Sequence, residues 1–210
     1  MLIAEAVAAG WEIEAEFVAP GVEPASGAPA FVLAEGVLER VATTETPQGS
    51  IAIVRMPPAD VDLHATSFVL VLDRVADPGN LGTLLRSAEA AGVDAIALTP
   101  GSVDVYNPKV VRASAGALFH VPTVVVELSD LSAAGLRLVG TSSHQGSPSD
   151  RADWSGRVAV VLGNEAHGLP DDAPVDGWVT IEHRGRAESL NVAMAGTVVL
   201  FDATRSRLRS

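Results

Sequence analysis

The chain has 210 residues, 48% of them hydrophobic and 19% charged, which suits one large domain or a medium one with a small companion and argues against disorder. It has no cysteine, which excludes disulfides, zinc–thiolate sites and thiol nucleophiles, and its five histidines include no spaced metal-ligand pair. A formal net charge of −12 argues against a surface that captures nucleic acid broadly, and no apolar run reaches the roughly 18 residues of a membrane span.

The N-terminus has no basic region ahead of an apolar stretch, so the expectation is a soluble, cytoplasmic protein without membrane or metal partners. Patterning predicts a helix over Leu2 to Ala9, a strand over Ala15 to Ala19, a Gly/Pro/Ala/Ser-rich loop over Pro20 to Pro29, a helix over Phe31 to Val41 and a strand over Ser50 to Arg55. That is a small α/β unit, residues 1–58, opening in mid-helix with no cap or strand before it, as if its start were missing. Residues 1–63 hold ten acids against two arginines, net −8, whereas the remainder is net −4. Positive charge in the remainder gathers at Arg74, Arg86, Lys109, Arg112, Arg184 and Arg186, which suits a local basic cleft on an acidic body.

Beyond a joint containing Pro57, Pro58, Asp60 and Asp62, residues 64–210 alternate long apolar strands with helices. Strands are expected near Ser67 to Asp73, Ala95 to Thr99, Pro122 to Val126, Arg137 to Thr141, Arg157 to Leu162 and Trp178 to Ile181. Helices are expected near Leu81 to Ala91, Pro108 to Ala113, Leu128 to Ala134 and Leu190 to Arg207. Runs such as SFVLVLD and RVAVVLG are apolar on both faces, as strands of a helix-covered parallel sheet must be.

Three segments place polar or small residues where a strand ends and a helix begins, the location of ligand sites in open α/β sheets. In the first, a strand runs into Asp77-Pro78-Gly79-Asn80 and a helix carrying Arg86 on its second turn. Asn80 as a plain helix cap and Arg86 as a solvated charge is the bland alternative. Gly79 and Gly82 complete neither a dinucleotide nor a P-loop fingerprint. The second segment ends a strand with Gly163-Asn164-Glu165 and continues to Gly168-Leu169-Pro170, where a small residue allows close backbone approach. Its bland alternative is a turn with a solvated carboxylate, and His167 reads as a surface turn residue. The third sets Glu188-Ser189-Leu190-Asn191 at the head of the last helix, with Ser189 well suited to an N-cap and Asn191 inside the first turn.

Taken together, in this order, these residues resemble the SpoU/TrmH family of RNA ribose 2′-O-methyltransferases, of the SPOUT class. Asp77-Pro78-Gly79-Asn80 with Gly82 and Arg86 is similar to the family's first motif, Leu162-Gly163-Asn164-Glu165 with Gly168-Leu169 to its second, and Ser189-Leu190-Asn191-Val192 to its third. Arg112 to Phe119 resembles a further family segment, and the likeness runs from about Phe68 to Arg207. Ala6 to Pro20 and Thr46-Pro47-Gln48-Gly49 resemble the family's small RNA-recognition domain, without its opening strand and basic segment.

The resemblance implies an α/β fold with a SPOUT-type parallel sheet and a C-terminal trefoil knot. It implies S-adenosylmethionine held by Thr141, Leu162, Gly163, Asn164, Ile181, Ser189 and Leu190, largely through backbone groups, with Gly163 small to admit the cofactor. Glu182 and His183 stand where the family often has Pro-Met. It further implies methyl transfer to a ribose 2′-hydroxyl, with Asn80, Arg86, Glu165 and Asn191 as catalytic positions. Because a guanidinium stays protonated, Arg86 is expected to clamp a phosphate, with a phosphate oxygen or Glu165 accepting the proton. A homodimer acting on ribosomal RNA is expected. Transfer RNA as target, a catalytically inactive knotted module that binds cofactor and RNA, and a Rossmann-like oxidoreductase disfavoured by the missing glycine fingerprint remain alternatives.

Overall fold

The structure is a computed structural model that describes residues 2–42, 47–58, 60–186 and 188–209, and its residues fall into two units, Met1–Pro58 and Ala59–Ser210. In the first unit, α1 (Leu2–Ala8) leads to β1 (Ile13–Val18), β2 (Ala30–Val32), α2 (Val37–Val41) and β3 (Ser50–Val54). β1 is central, parallel to β2 and antiparallel to β3.

The helix expected from Phe31 begins only at Val37, because Ala30-Phe31-Val32 pairs as a strand with Glu16-Phe17-Val18. Phe17 and Phe31 stack with ring centroids 5.5 Å apart, a cross-strand aromatic pair that local helical periodicity does not anticipate. Thr46 of the Thr46–Gly49 stretch lies outside the described residues. The connection between β1 and β2 is tied down by Glu16, fully buried, which accepts hydrogen bonds from the N–H groups of Ala25 and Ser26 at 3.0 and 2.8 Å. Burial acts to raise the Glu16 pKa, but the Ser26 side chain and these N–H groups outweigh it and hold the carboxyl below the ordinary glutamate range.

The second unit is an α/β layer structure with a seven-stranded sheet. Its strands are β4 (Phe68–Leu72), β5 (Ala95–Leu98), β6 (Thr123–Val125), β7 (Arg137–Thr141), β8 (Ser147–Pro148), β9 (Val158–Leu162) and β10 (Gly177–Thr180). They lie in the order β6-β5-β4-β9-β7-β10-β8, and every pairing is parallel. Only the two-residue β8 has no counterpart among the strands read from the sequence, since it is too short to carry a period.

Helices α3 (Pro78–Ala91), α4 (Pro108–Ala113), α5 (Leu128–Ala133) and α6 (Val192–Arg207) complete the unit. Alternation along the strands separates two cores: Phe68, Leu70 and Leu72 with Val158, Val160 and Leu162 pack under α3 and α6, while Val69, Val71, Ala159 and Val161 pack with Leu131 and Leu169 on the other face. β9, late in the chain, is inserted between β4 and β7. The order in which successive strands are added thus reverses there, and a crevice is expected beyond the carboxyl ends of the central strands.

Candidate active site

Three segments distant in sequence are joined by hydrogen bonds at that end of the sheet. After β9, Glu165 accepts from the N–H groups of Ala76 and Asp77, at 3.1 and 2.9 Å, and from Asn80 Nδ2 at 3.2 Å. Asn191 Nδ2 donates to Asn80 Oδ1 at 2.9 Å. Asn164 Nδ2 donates to the Arg74 carbonyl at 2.8 Å, fastening the same loop to the chain leaving β4. The result is a continuous polar array Glu165–Asn80–Asn191, with one member from each motif.

Local chemistry explains why these side chains are available. Asp77, not Asn80, caps α3 by accepting from Asn80 N–H at 2.8 Å, and Pro78 occupies the first turn, where its missing donor is harmless. Asn80 therefore lies inside α3 with its amide free to bridge Glu165 and Asn191. At the other helix, Asn191 is the N-cap in place of Ser189, accepting from Ala193 and Met194 N–H at 2.9 and 3.3 Å, so α6 begins at Val192 rather than Leu190. An amide both caps and bridges, because its oxygen and nitrogen face different partners.

Glu165 is held as a carboxylate. Burial pushes its pKa up, but the N–H groups of Ala76, Asp77 and Glu165 itself and the Asn80 amide prevail, and the carboxyl lies below the ordinary glutamate range. Arg86 has a different setting: it is exposed on α3, on the third turn rather than the second because the helix starts at Pro78, and it makes no hydrogen bond or ion pair among the described residues. The array and Arg86 share α3 without touching.

Beside the array is a cavity of about 290 Å³ at the carboxyl ends of β7, β9 and β10. Its walls include all seven positions expected to hold a cofactor: Thr141, Leu162, Gly163, Asn164, Ile181, Ser189 and Leu190. Glu165 also lines it, whereas Asn80, Arg86 and Asn191 do not. Sequence reasoning missed Ser142, Ser143, His144, Val179, His183 and Val199. Of these only His183 carried a signal, as a departure from the family pattern at the wall.

Two glycines of the motifs lie against the chain itself. A Cβ on Gly163 would sit 2.2 Å from the Gly168 carbonyl carbon and 2.3 Å from Leu169 N, so it is the chain's own returning loop that requires glycine there. That loop closes by an antiparallel bridge between Asn164 and Gly168, with Gly168 N–H donating to Asn164 O at 2.8 Å. Gly82 likewise serves packing: its Cβ would lie 2.4 Å from Ala113 Cβ, where α3 meets α4. Among the described residues no cluster of His, Asp or Glu could hold a metal ion, and no helix is long and apolar enough to cross a membrane.

Comparison with known proteins agrees with this architecture. Residues 67–201 match the SpoU rRNA Methylase family. The chain is 37% identical over 184 residues to the 23S rRNA (guanosine(2553)-2'-O)-methyltransferase RlmP of Bacillus subtilis, covering 84% of this chain and 73% of that protein. It is 36% identical over 179 residues to a 23S rRNA (uridine(2479)-2'-O)-methyltransferase of Streptomyces viridochromogenes, covering 78% of this chain and 62% of that one. Among solved structures, the SpoU methyltransferase AviRb from Streptomyces viridochromogenes, in complex with AdoMet, is similar with a TM-score of 0.85 and 30% identity, over 99% of this chain and 88% of that chain.

Proposed function

This chain belongs to the SpoU rRNA methylase family, and from that premise we propose that it transfers a methyl group from S-adenosylmethionine to a ribose 2′-hydroxyl of ribosomal RNA. The observation that carries the reading is the Glu165–Asn80–Asn191 array set against the strand-end cavity. Relatives named as 23S rRNA 2′-O-methyltransferases support RNA of the ribosome over transfer RNA as substrate.

The cavity fits the cofactor in size and lining. Its volume is at the lower end of small-molecule sites, about 300 Å³, and its walls alternate main chain at Gly163 with apolar Leu162, Ile181 and Leu190. Thr141, Asn164 and Ser189 add polar groups to the same wall. When bound, S-adenosylmethionine supplies a methyl carbon made electrophilic by its sulfonium sulfur.

The protein's task is then to present the ribose oxygen in line and to manage its proton. Asn80 and Asn191, fixed by each other and by Glu165, orient the ribose. Arg86, a permanent cation with no hydrogen bond or ion pair among the described residues, clamps the adjoining phosphate and stabilises the oxyanion as the new C–O bond forms and the C–S bond breaks. Glu165 braces the array instead of accepting the proton, because its oxygens are engaged by N–H donors and its pKa is lowered. The 2′-hydroxyl proton is lost as the methyl arrives, when the oxygen becomes strongly acidic, and water carries it off, directly or by way of an RNA phosphate oxygen.

Further parts of the reading have their own support. A C-terminal trefoil knot is favoured by β10 lying between β7 and β8, and by the close approach at Gly146, where a Cβ would meet the Trp178 carbonyl carbon at 2.4 Å. A crystallographic trace through this region decides it. A homodimer is favoured by Met194 and Val198, spaced by four residues on α6 and 66% and 41% exposed. Residues 1–58 engage RNA through a stacking face that includes Phe31, 53% exposed. Phe31→Ala should then weaken RNA binding in a filter assay.

The test of the central reading is transfer of labelled methyl from S-adenosylmethionine to ribosomal RNA, followed by mapping of ribose methylation. Label on a base, or no transfer to deproteinised or assembled ribosomal RNA, overturns it.

A further inference from the structure

Arg74 directly follows the buried Asp73 at the end of β4, and its backbone is left-handed, with a φ of 54°. Glycine or asparagine fills such a position at little cost, whereas a long side chain is disfavoured there. Arginine is nevertheless held in it from several sides. Arg74 N–H donates to Thr99 Oγ1 at 3.0 Å, and its carbonyl accepts from Asn164 Nδ2 at 2.8 Å. The flanking Asp73 N–H donates to Leu162 O, and the Val75 carbonyl accepts from Val103 N–H. None of these backbone bonds needs a guanidinium, so they account for the turn and not for the residue.

The side chain is exposed yet fixed. Arg74 Nε and Nη2 donate to Asp73 Oδ2 at 3.1 and 2.8 Å, while Thr99 Oγ1 donates to Asp73 Oδ1 at 2.8 Å and locks the carboxylate. The Asp73 side chain is 10% exposed and that of Arg74 53%. Both Nη1 hydrogens and one on Nη2 have no partner among the described residues, in a planar fork suited to phosphate. The same segment continues to Ala76 and Asp77, whose N–H groups hold Glu165, and to Asn80 in the array.

We propose that Arg74 is an RNA-binding residue whose guanidinium, aimed by Asp73, takes a backbone phosphate of ribosomal RNA near the target ribose, separate from the phosphate held by Arg86. The inference rests on the methyltransferase reading above and adds a residue that the three motifs do not contain. On a chain of net charge −12 a general attraction for RNA is lacking, so individual cations at the site must bind phosphate in place of a field. A fork already oriented by a carboxylate loses little side-chain freedom when it does so. A partly exposed ion pair contributes little to stability, which leaves binding as the reason for arginine at a left-handed position.

Arg74→Asn removes the cation and keeps a residue that tolerates the backbone. Its melting temperature should stay within about 2 °C of wild type and its S-adenosylmethionine affinity within about twofold. The dissociation constant for ribosomal RNA in filter binding should rise about five- to tenfold, and log affinity against log salt should become shallower by roughly one unit. In turnover assays KM for RNA should rise while kcat stays within about threefold. Arg74→Lys, which keeps the charge and loses the fork, should recover part of the affinity and the salt slope.

Unchanged RNA affinity and salt slope in Arg74→Asn, beside an active wild type, overturn the assignment alone. Parallel loss of melting temperature and S-adenosylmethionine affinity makes Arg74 structural and overturns it as well. Failure of the wild-type protein to methylate ribosomal RNA overturns the methyltransferase reading, and this inference with it.

Discussion

Gly163→Ala is the sharpest perturbation of the site, because it adds one carbon at a place where the chain already touches itself. The new Cβ would lie 2.2 Å from Gly168 C, 2.3 Å from Leu169 N and 2.5 Å from Gly168 O, all backbone atoms with no rotamer to escape into. Carbon–carbon contact is comfortable from about 3.5 Å, so the 164–168 loop must retreat by roughly 1.3 Å. That retreat pulls on the Gly168 N–H to Asn164 O bond and the Asn164 Nδ2 to Arg74 O bond, each 2.8 Å. Overpacking of this kind costs about 1–3 kcal/mol, and rigid neighbours put Gly163 near the upper end. At about 2–4 °C per kcal/mol for a chain of this length, the melting temperature should fall by about 4–10 °C. S-adenosylmethionine affinity should fall at least tenfold, since the displaced loop is a cavity wall. Gly177→Ala is the control, with nothing within 4 Å of its added carbon. Calorimetry and cofactor titration that find Gly163→Ala within 1 °C and twofold of wild type, like the control, would refute the claim that loop closure shapes the site.

Arg86→Ala should abolish methyl transfer while leaving cofactor affinity within a few-fold and stability within about 0.5 kcal/mol, since Arg86 is exposed and makes no internal bond among the described residues; parallel loss of binding and turnover would make it structural. Glu165→Gln should lower the methylation rate about tenfold or more in single-turnover assays, by loosening Asn80 and Asn191. The Glu165 pKa is lowered on folding, so its bracing contribution is complete above the ordinary glutamate value of about 4.3 and is lost as pH falls through the lower folded value. Melting curves of wild type and Glu165→Gln should therefore converge only in acid, from a gap of about 1 kcal/mol or less because the side chain is largely exposed. Met194→Glu should place a charge in the proposed dimer face and halve the mass seen by sedimentation, whereas an unchanged mass would remove α6 from that face.

The sequence by itself determined the layers and most of the strands, because burial on both faces leaves an unbroken apolar run such as Phe68–Leu72 that few other structures can accommodate. The seven wall positions came from the resemblance to the SpoU/TrmH family, and the folded sheet and the segments that follow its strands bring them to one cavity. The tertiary structure alone decided the roles within the site. Whether Asp77 or Asn80 caps α3, and whether Ser189 or Asn191 caps α6, depends on which side chain is claimed by a partner nearly a hundred residues or more away, as Asn80 is by Glu165 and Asn191. In the first unit, Phe31 reads locally as helical, yet its stacking on Phe17 and its pairing with β1 make it a strand. Gly163 is required for a reason no local pattern contains: its neighbour is the chain itself, five residues on, folded back within van der Waals distance. Local propensity is worth a fraction of a kcal/mol per residue, so such choices pass to the contacts that only the folded chain makes.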